Sequence, residues 1–337
     1  MRIWIFALHL AAAAFAAGPA SASEASADLR ADLRDGATGR VAFASRTPTG
    51  PSELMAGQGA PTAVTAELKL PDATAGRRMP LMILSHGSGG ILAGREEAWA
   101  ERLRAWGVAT MLVDSFTPRG IRSTGEDQGR LSTAASVADA LAALAIAATH
   151  PAIDPDRIGV MGFSKGGQVA LYTLLEPFRR GMAMGERRFA LHVALYASCS
   201  LPYRSERTTG APVVMLLGGA DDYTPAEHCR RYADWFRTRG SAVELAVFAG
   251  AHHGFDVPGP VRRLSRVQTA RNCGLDIELE PLPTGRRWAD DTVIPNDGIG
   301  AYLRGCMERG ASFGGDPEAL AAAILAVRTA VERHLRP

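Results

Sequence analysis

The sequence lacks an excess of charge of either sign. Its 337 residues include 37 Lys and Arg and 35 Asp and Glu, which gives a formal net charge of +2 at pH 7. The charges are spread along the chain, without the basic stripe or tail that captures nucleic acid. Internal repeats and low-complexity linkers are also absent from the sequence. A polyanion partner is therefore excluded, and one domain is expected.

The N-terminus lacks an apolar run long enough to cross a membrane. After Arg2, the apolar stretch extends from Ile3 to Ala17 and is followed by the small residues of Ala20–Ala22. A spanning helix needs roughly 20 apolar residues, so a membrane anchor is the less favoured interpretation. The pattern is typical of a secretory signal peptide over residues 1–22. We therefore expect an exported protein, periplasmic or secreted, without a stable membrane anchor.

Cysteine is scarce, with four in the whole chain. Because an exported protein matures in an oxidising compartment, these cysteines are expected to form disulfides. Four cysteines allow three pairings, and we predict Cys199–Cys229 and Cys273–Cys306. The alternative is a metal site that uses Glu227–Cys229 and His252–His253, but none of these residues has the spacing of a helical or C-x-x-C ligand pair. We predict neither a metal nor a cofactor.

From about residue 61 onward, apolar runs alternate with helical segments. Unbroken apolar strands that alternate with helices predict an α/β domain with a doubly wound, mostly parallel sheet and helices on both faces. Strands are predicted at 63–70 (an edge strand), 80–85, 108–113, 157–163, 191–196, 212–217 and 243–248. Helices are predicted at about 96–106, 133–149, 167–175, 228–238 and 317–335. A single domain is therefore expected over residues 61–337, after a loosely structured lead-in at 23–60.

Residues from about 256 to 315 interrupt this alternation. They contain Pro, Gly, Trp288 and two cysteines, but no strong period. A long irregular segment inside a compact domain is usually functional or disordered. The segment is predicted to be an irregular insertion tied by a disulfide. It folds either over the catalytic edge as a cap or away from it as a surface excursion.

A motif for a reactive serine lies between a predicted strand and a predicted helix. The run Val160–Gly167 places Ser164 in the pattern G-x-S-x-G, which is how a nucleophile elbow is written. By itself the motif is weak, since a chain this rich in Gly and Ser contains one by chance in roughly one sequence in four. A nucleophilic serine also needs a base within hydrogen-bond reach and a third group that orients the base.

Two later loops supply candidates for the orienting acid and the base. Asp221 and Asp222 follow the strand at 212–217, and His252 and His253 follow the strand at 243–248. The carboxyl ends of parallel strands meet at one edge of the sheet, where catalytic groups gather. The order serine, acid, histidine is that of the α/β-hydrolases. His86, in contrast, is interpreted as a structural histidine bonded to loop backbone.

Two backbone N–H groups are expected to stabilise the oxyanion that forms when a carbonyl is attacked. Lys165, directly after the serine, supplies one of them. The glycine loop after the strand at 80–85 supplies the other, near Gly87 or Ser88. Glycine in this loop lets the backbone approach the substrate closely.

Over residues 80–255 the chain resembles a dienelactone hydrolase-type α/β-hydrolase of the exported branch. The resemblance implies that Ser164 is the nucleophile, that Asp221 is the acid and that His253 is the base. His253 directly precedes Gly and Phe, as in the family pattern. Alignment with the family pattern also favours Asp221 over Asp222 as the acid.

The resemblance extends to the segment at 114–120, in which Arg119 is a candidate substrate contact. The chain departs from the family in two respects. Dienelactone hydrolases proper have a cysteine where this chain has Ser164, and they are cytosolic proteins without the paired cysteines found here. A serine in the same elbow is typical of esterases, lipases, acyl-peptide hydrolases and polyester depolymerases. All of these enzymes react through an acyl-enzyme.

The sequence therefore predicts a serine hydrolase that cleaves carboxylic esters, with a small ester or lactone as substrate. Three alternatives remain open. An acyl transferase and a peptidase would use the same triad, because the acyl-enzyme is common to all three reactions. A non-catalytic binding protein could use the same scaffold, since fold does not imply function. The oligomeric state is not predicted.

Overall fold

A twisted central sheet organises the part of the chain that the structure describes, residues 28–72 and 78–336 of a computed structural model. The signal peptide predicted at 1–22 lies outside these residues. The strands are β1 (Leu29–Arg30), β2 (Gly39–Thr47), β3 (Ala60–Lys69), β4 (Met79–Ser85), β5 (Ala109–Asp114), β6 (Ile153–Phe163), β7 (Leu191–Leu195), β8 (Tyr203–Arg204), β9 (Val213–Gly218), β10 (Val243–Phe248), β11 (Arg262–Thr269), β12 (Leu275–Glu278), β13 (Thr284–Arg287), β14 (Val293–Ile294) and β15 (Glu308–Phe313). The helices are α1 (Pro51–Met55), α2 (Ala98–Ala105), α3 (Thr133–Ala147), α4 (Lys165–Tyr172), α5 (Glu176–Gly181), α6 (Ala226–Thr238), α7 (Asn296–Cys306) and α8 (Pro317–His334).

The central sheet has the order β1-β2-β3-β5-β4-β6-β7-β9-β10 among the described residues. Neighbouring strands are parallel except in the pairs β2–β3 and β3–β5. Every strand predicted from an apolar run forms part of this sheet. The predicted fold, a mostly parallel α/β-hydrolase sheet with helices on both faces, is confirmed.

Two buried apolar layers lie on the opposite faces of this sheet. In β4, Leu81 and Ile83 pack into one layer, and Met82 and Leu84 pack into the other. Helices α3, α4 and α6 contribute to the first layer, and α2 and α8 contribute to the second. Because side chains alternate along a strand, a strand buried on both faces has to be apolar throughout. The layers hold the sheet rigidly, and the loops at its carboxyl edge start from fixed positions.

The prediction of a loosely structured lead-in at 23–60 is wrong for the residues that the structure describes. Strand β2 pairs with β3 along nine residues, from Gly39 opposite Leu68 to Thr47 opposite Ala60. Its Val41 and Phe43 are buried in the core. Strand β3 consequently lies between β2 and β5 and is not an edge strand. Because β2 contains several small residues, its sequence gives only a weak strand signal. Its regular structure comes from pairing with β3.

The segment at 256–315 is also more regular than predicted. It contains β11 to β15 and α7. Strands β11 and β15 form an antiparallel pair, while β12, β13 and β14 form a small sheet with β8. The strands are short and mostly polar, which explains why no period marks them in the sequence. "Irregular" is therefore the wrong description of this insertion.

Both predicted disulfides are confirmed. Cys199 and Cys229 are bonded with their Cα atoms 5.0 Å apart, and Cys273 and Cys306 with theirs 5.1 Å apart. Two disulfides fit a protein of an oxidising, extracellular compartment. No helix within the described part of the chain combines the length and the apolar character that crossing a bilayer requires.

Candidate active site

A sharp turn between β6 and α4 carries Ser164. The serine has φ 55° and ψ −111°, a conformation that non-glycine residues rarely adopt. A Cβ atom on Gly162 would lie 1.9 Å from the Gly166 carbonyl oxygen, and a Cβ on Gly166 would lie 2.0 Å from the Ser85 carbonyl oxygen. The backbone therefore passes too closely for any side chain at either position. This crowding is the physical reason for the two glycines of G-x-S-x-G.

Ser164, His253 and Asp221 form a continuous hydrogen-bonded chain. His253 Nε2 lies 2.9 Å from Ser164 Oγ, and His253 Nδ1 lies 2.8 Å from Asp221 Oδ2. Asp221 comes from the loop after β9, and His253 comes from the loop after β10. All three residues are buried, with exposures of 9%, 1% and 6% for Ser164, His253 and Asp221. The three side chains meet at the carboxyl edge of the sheet, where the sequence predicted them to gather.

The Asp221 carboxylate is fixed by its own loop. Its Oδ1 atom accepts hydrogen bonds of 2.8 Å from the amides of Tyr223 and Thr224. Thr224 Oγ1 lies 2.8 Å from Asp221 Oδ2 and 3.0 Å from His253 Nδ1. Thr224 therefore contacts both members of the acid–histidine pair. Sequence analysis missed it, because a threonine three residues after an aspartate carries no signal until the loop is folded.

Aromatic rings surround the His253 imidazole. The ring centroids of Tyr196 and Tyr223 lie 4.7 and 4.6 Å from that of His253, and the Phe313 centroid lies 6.1 Å away. The Tyr196 hydroxyl donates a 2.6 Å hydrogen bond to Asp256 Oδ1. Burial raises the pKa of Tyr196 well above its usual value, so the phenol stays protonated as the donor. These rings keep water away from the imidazole.

Neither Asp222 nor His252 takes part in this hydrogen-bonded chain. Asp222 Oδ2 accepts from Arg263 at 2.5 Å, and Asp222 Oδ1 accepts from the Ser312 amide at 2.6 Å. Asp222 therefore joins the acid loop to β11 and β15. His252 Nδ1 is buried without a hydrogen-bond partner among the described residues.

His86 has the structural role that the sequence predicted. Its Nδ1 atom lies 2.8 Å from the Gly87 carbonyl oxygen, and its Nε2 atom accepts a 3.2 Å hydrogen bond from the Ser115 amide. This pair of contacts requires a neutral ring with its proton on Nδ1. Burial lowers the pKa of His86, which favours the same neutral form.

A buried ion pair holds the loop after β4. Glu96 Oε1 accepts a 3.2 Å hydrogen bond from the Gly87 amide, and Glu96 Oε2 accepts a 3.0 Å bond from the Leu92 amide. Arg95 lies 2.7 Å from Glu96, and the two side chains are 3% and 0% exposed. The Gly87 N–H is therefore occupied and cannot serve an oxyanion. The hydrogen bonds of the described residues include none from the Ser88 amide.

Lys165 contributes to the site with both its backbone and its side chain. It is the first residue of α4, so its amide is one of the helix donors that lack an intrahelical acceptor. Its Nζ atom donates to the carbonyls of Gln128 and Leu131 at 3.2 and 2.6 Å. Burial lowers the pKa of Lys165 to about 8.

The structure corrects the prediction that Arg119 is a substrate contact. Its guanidinium makes a two-pronged ion pair with Asp139 at 2.7 and 2.9 Å. The remaining donors are bonded to the Thr47 hydroxyl and to the carbonyls of Ser115 and Arg46. All five N–H groups are thus used, and the side chain is buried. Arg119 joins the loop after β5 to α3 and β2, so its role is structural.

A cavity of about 120 Å³ opens beside Ser164. Ser88 and Lys165 line it from the sheet side, and the 256–315 segment contributes Gln268, Thr269, Ala270 and Met307. Of the two alternatives for the segment, the cap is therefore the one that the structure favours. Three larger surface grooves, of about 470, 600 and 380 Å³, contain no member of the Ser164–His253–Asp221 chain.

Side chains that could bind a metal ion do not cluster in the described parts of the chain. In the ranges 28–72 and 78–336, no three His, Cys, Asp or Glu side chains come together in a way that could hold a metal ion.

Known proteins resemble this chain in sequence and in fold. The model of the dienelactone hydrolase family matches residues 113–273, which include Ser164, Asp221 and His253. A curated relative, the quorum-quenching protein AidA of Acinetobacter baumannii (strain MDR-ZJ06), is 26% identical over 250 residues, covering 68% of this chain and 80% of AidA.

Solved structures of esterase 2 from Thermogutta terrifontis resemble the chain more distantly. The form phosphonylated by cyclosarin is 21% identical with a TM-score of 0.48, over 58% of this chain and 81% of the esterase. The native form is 20% identical with a TM-score of 0.48, over 58% and 80% of the two chains. By its sheet topology this chain has the α/β-hydrolase fold, and over residues 113–273 it is similar to the dienelactone hydrolase family.

Proposed function

We propose that this protein is a serine hydrolase that cleaves small carboxylic esters or lactones through an acyl-enzyme. The observation that carries the proposal is the hydrogen-bonded chain from Ser164 Oγ through His253 to Asp221, with links of 2.9 and 2.8 Å. Distances of this size allow a proton to pass from the serine to the imidazole as the serine attacks.

In the acylation step, Ser164 Oγ bonds to the carbonyl carbon of the ester while its proton moves to His253 Nε2. The carbonyl π electrons move onto oxygen and form the tetrahedral oxyanion. When the oxyanion collapses, the bond to the alcohol oxygen breaks, and His253 donates its proton to that oxygen. The alcohol leaves, and the acyl group remains bonded to Ser164. Asp221 orients the ring and stabilises its protonated form.

In the deacylation step, a water molecule replaces the alcohol. His253 Nε2 takes a proton from the water as its oxygen bonds to the acyl carbon. The second oxyanion collapses with cleavage of the bond to Ser164 Oγ, and the serine recovers its proton from His253. The carboxylic acid is released, and the resting enzyme is restored.

The oxyanion in both steps is stabilised by the amides of Ser88 and Lys165. Support for this pair comes from three features of the loop after β4 and of α4. The Gly87 amide already donates to Glu96, the Ser88 amide has no acceptor among the described residues, and the Lys165 amide begins α4. The positive end of the helix dipole also favours negative charge at this position. Loss of one oxyanion donor typically lowers turnover by about 10²–10³-fold.

Export is proposed together with this chemistry. The two disulfides suit an oxidising compartment, and the sequence pattern at 1–22 is that of a signal peptide. An exposed thiol nucleophile would be oxidised there, whereas a serine would not. N-terminal sequencing of the protein recovered from the periplasm or medium tests this, with cleavage after Ala22 as the expected result.

A second candidate function comes from the relative AidA, whose name describes quorum quenching. A signal molecule that contains an ester would be cleaved by the same acyl-enzyme chemistry, so the two functions would share one site. The test incubates a quorum-sensing culture supernatant with wild type or Ser164→Ala and measures the remaining signal with a reporter strain. Equal signal after both treatments would argue against this candidate.

The proposed triad is tested by matched substitutions at neighbouring residues. With p-nitrophenyl acetate, Ser164→Ala, His253→Ala and Asp221→Asn are each expected to lower kcat by about 10⁴-fold, as losses of triad members do in other hydrolases. Asp222→Asn and His252→Ala are the controls, and each is expected to lose less than about tenfold. Wild-type turnover by Ser164→Ala would refute the proposal. A severe loss at the controls alone would assign the roles of acid and base to Asp222 and His252 instead.

The remaining alternatives are separated by two further measurements. A fluorophosphonate probe labels an activated serine, so an unlabelled protein would indicate a binding protein instead of an enzyme. Product analysis with an added alcohol distinguishes hydrolysis, which yields the acid, from acyl transfer, which yields a new ester. A peptide substrate in the same assay tests the peptidase reaction.

A further inference from the structure

The cavity beside Ser164 is small for an enzyme pocket. Its volume is about 120 Å³, whereas small-molecule pockets usually measure roughly 300–1,000 Å³. A cavity this far below the usual range favours a short substrate group over a long chain. Whatever alcohol an ester carries, its acyl group stays bonded to Ser164 Oγ in the acyl-enzyme. The acyl group is therefore the part of the substrate that the cavity has to hold.

Two long aliphatic side chains, Leu201 and Met307, line the cavity. Leu201 lies in the loop between β7 and β8, where its carbonyl accepts a 2.8 Å hydrogen bond from the Tyr172 hydroxyl. Met307 lies between α7 and β15, directly after Cys306 and its disulfide to Cys273. Leu201 therefore lies outside the 256–315 segment in the chain, and Met307 lies within it.

Hydrogen bonds at the wall of the cavity hold the two sides together. Gln268 Oε1 accepts a 2.9 Å bond from the Gln128 amide. Thr269 Oγ1 donates a 2.7 Å bond to the Tyr223 carbonyl. All four residues line the cavity, so widening it by moving the segment would break bonds at its own wall. These two hydrogen bonds therefore keep the cavity small.

We propose that the cavity admits short acyl groups such as acetyl and butyryl but not longer chains, and that Leu201 and Met307 set this limit. The inference rests on the proposed ester hydrolysis at Ser164. A longer acyl chain displaces one of these side chains or pulls the ester carbonyl away from the amides of Ser88 and Lys165. In a closed pocket a single methylene changes the rate by about 10–200-fold, so a sharp chain-length limit is expected.

The first experiment measures kcat/KM for p-nitrophenyl acetate, butyrate, hexanoate and octanoate with the full chain. Ser164→Ala serves as the blank for spontaneous hydrolysis. We expect similar values for acetate and butyrate and a decrease of at least about tenfold from butyrate to hexanoate. A parallel series keeps the acetyl group and lengthens the alcohol from ethyl to octyl, with acid release followed by titration. This series is expected to vary by less than about fivefold, because in this proposal the cavity holds the acyl group and the alcohol portion lies outside it.

The second experiment tests whether Leu201 and Met307 set the limit on acyl chain length. Met307→Ala and Leu201→Ala each remove wall volume from one side and are expected to raise the ratio of hexanoate to acetate kcat/KM by about tenfold. Leu282→Ala is the matched control, because Leu282 belongs to the same segment but is 66% exposed and does not line the cavity. It is expected to leave the ratio unchanged.

The outcomes separate this inference from the proposed function. If wild type hydrolyses octanoate as fast as acetate, or if the alcohol series falls as steeply as the acyl series, the inference is overturned while ester hydrolysis stands. Unchanged ratios in both folded variants would also overturn it. If no ester is turned over faster than by Ser164→Ala, the proposed function itself fails. A limit near butyrate that shifts in both variants would support the inference.

Discussion

Two regions meet at Ser164, and different forces hold them in place. Around the serine, Val160, Met161 and Phe163 of β6 are fully buried, and backbone passes against backbone at Gly162 and Gly166. In the 256–315 segment, α7 has no buried residue, and half of the residues of β11 are exposed. The first region is held by packing, whereas the second combines polar contacts and a disulfide with a few buried apolar residues such as Leu275 and Leu279.

The contacts of Asp222 illustrate how the second region is attached. The Asp222 carboxylate binds Arg263 of β11 and the Ser312 amide of β15, while its carbonyl accepts from Arg271. Ion pairs this exposed contribute little each, typically about 0–1 kcal/mol. Around Ser164 the close backbone contacts leave little room for movement, whereas exposed contacts like those of Asp222 hold the segment less firmly.

The largest expected difference between the two regions comes from replacing a glycine with alanine in each of them. In the elbow, Gly166→Ala forces a Cβ atom to within 2.0 Å of the Ser85 carbonyl. We expect a loss of about 3 kcal/mol in the free energy of unfolding, from overpacking. The displaced serine is expected to lower kcat/KM by more than about 100-fold. Urea unfolding and p-nitrophenyl acetate turnover measure the two effects.

The matched control is Gly305→Ala in α7. A Cβ on Gly305 meets nothing within 4 Å, and alanine is the better helix former. We expect stability to rise by up to about 0.5 kcal/mol and activity to stay unchanged. Equal losses from both substitutions would remove the distinction between the two regions.

The sheet was predictable because its strands are apolar throughout. Runs such as Pro80–Ser85 and Val213–Gly218 have to be buried on both faces, and the sequence alone indicates this. Strand β2 was missed because Ala and Ser occupy several of its positions, and its order comes from pairing with β3. Strand β11, with the sequence RRLSRVQT, depends in the same way on β15. Long-range pairing of polar strands leaves no local period to detect.

The candidate site was predictable to the same degree. Ser164, Asp221 and His253 follow apolar strands in hydrolase order, so their meeting at one edge could be expected. Thr224 and Glu96 could not be found, because their contacts exist only in the folded loops. Arg119 was misassigned for the same reason. Its partner Asp139 lies on α3, and nothing in the sequence connects the two residues.

The two disulfides provide the next contrast. Removing Cys199 and Cys229 together, as alanines, takes a buried bridge out of the core and is expected to cost about 2–4 kcal/mol of unfolding free energy. Removing Cys273 and Cys306 loosens the segment next to Met307. We expect a KM several-fold higher for p-nitrophenyl butyrate with kcat nearly unchanged, since the triad does not depend on this bridge. Separate kcat and KM values and urea unfolding of both variants provide the comparison. A loss of kcat without a change in KM in the second variant would contradict it.

Lys165 lies where the two regions meet, and its expected effect is the smallest. Lys165 is the first residue of α4, and its ammonium donates hydrogen bonds to the carbonyls of Gln128 and Leu131. The Gln128 amide in turn donates to Gln268 of the segment. Burial lowers the pKa of Lys165 from 10.5 to about 8. Above pH 8 the folded protein therefore releases this proton, while the unfolded chain keeps it until about pH 10.5. The unfolded state then binds more protons, so this group makes the folded state more stable as pH rises.

The measurement is the unfolding free energy of wild type minus that of Lys165→Met, determined in urea at pH 7.5 and pH 9. The difference is expected to move in favour of wild type by about 1 kcal/mol over this interval. Below pH 9 the buried phenols do not interfere, because burial raises the pKa of groups such as Tyr223 to about 12. Lys69→Met is the control, since Lys69 is the only other lysine in the chain and is about half exposed. A flat difference at Lys165, matching that at Lys69, would show that its ammonium is hydrated and that the junction between the two regions is open to water.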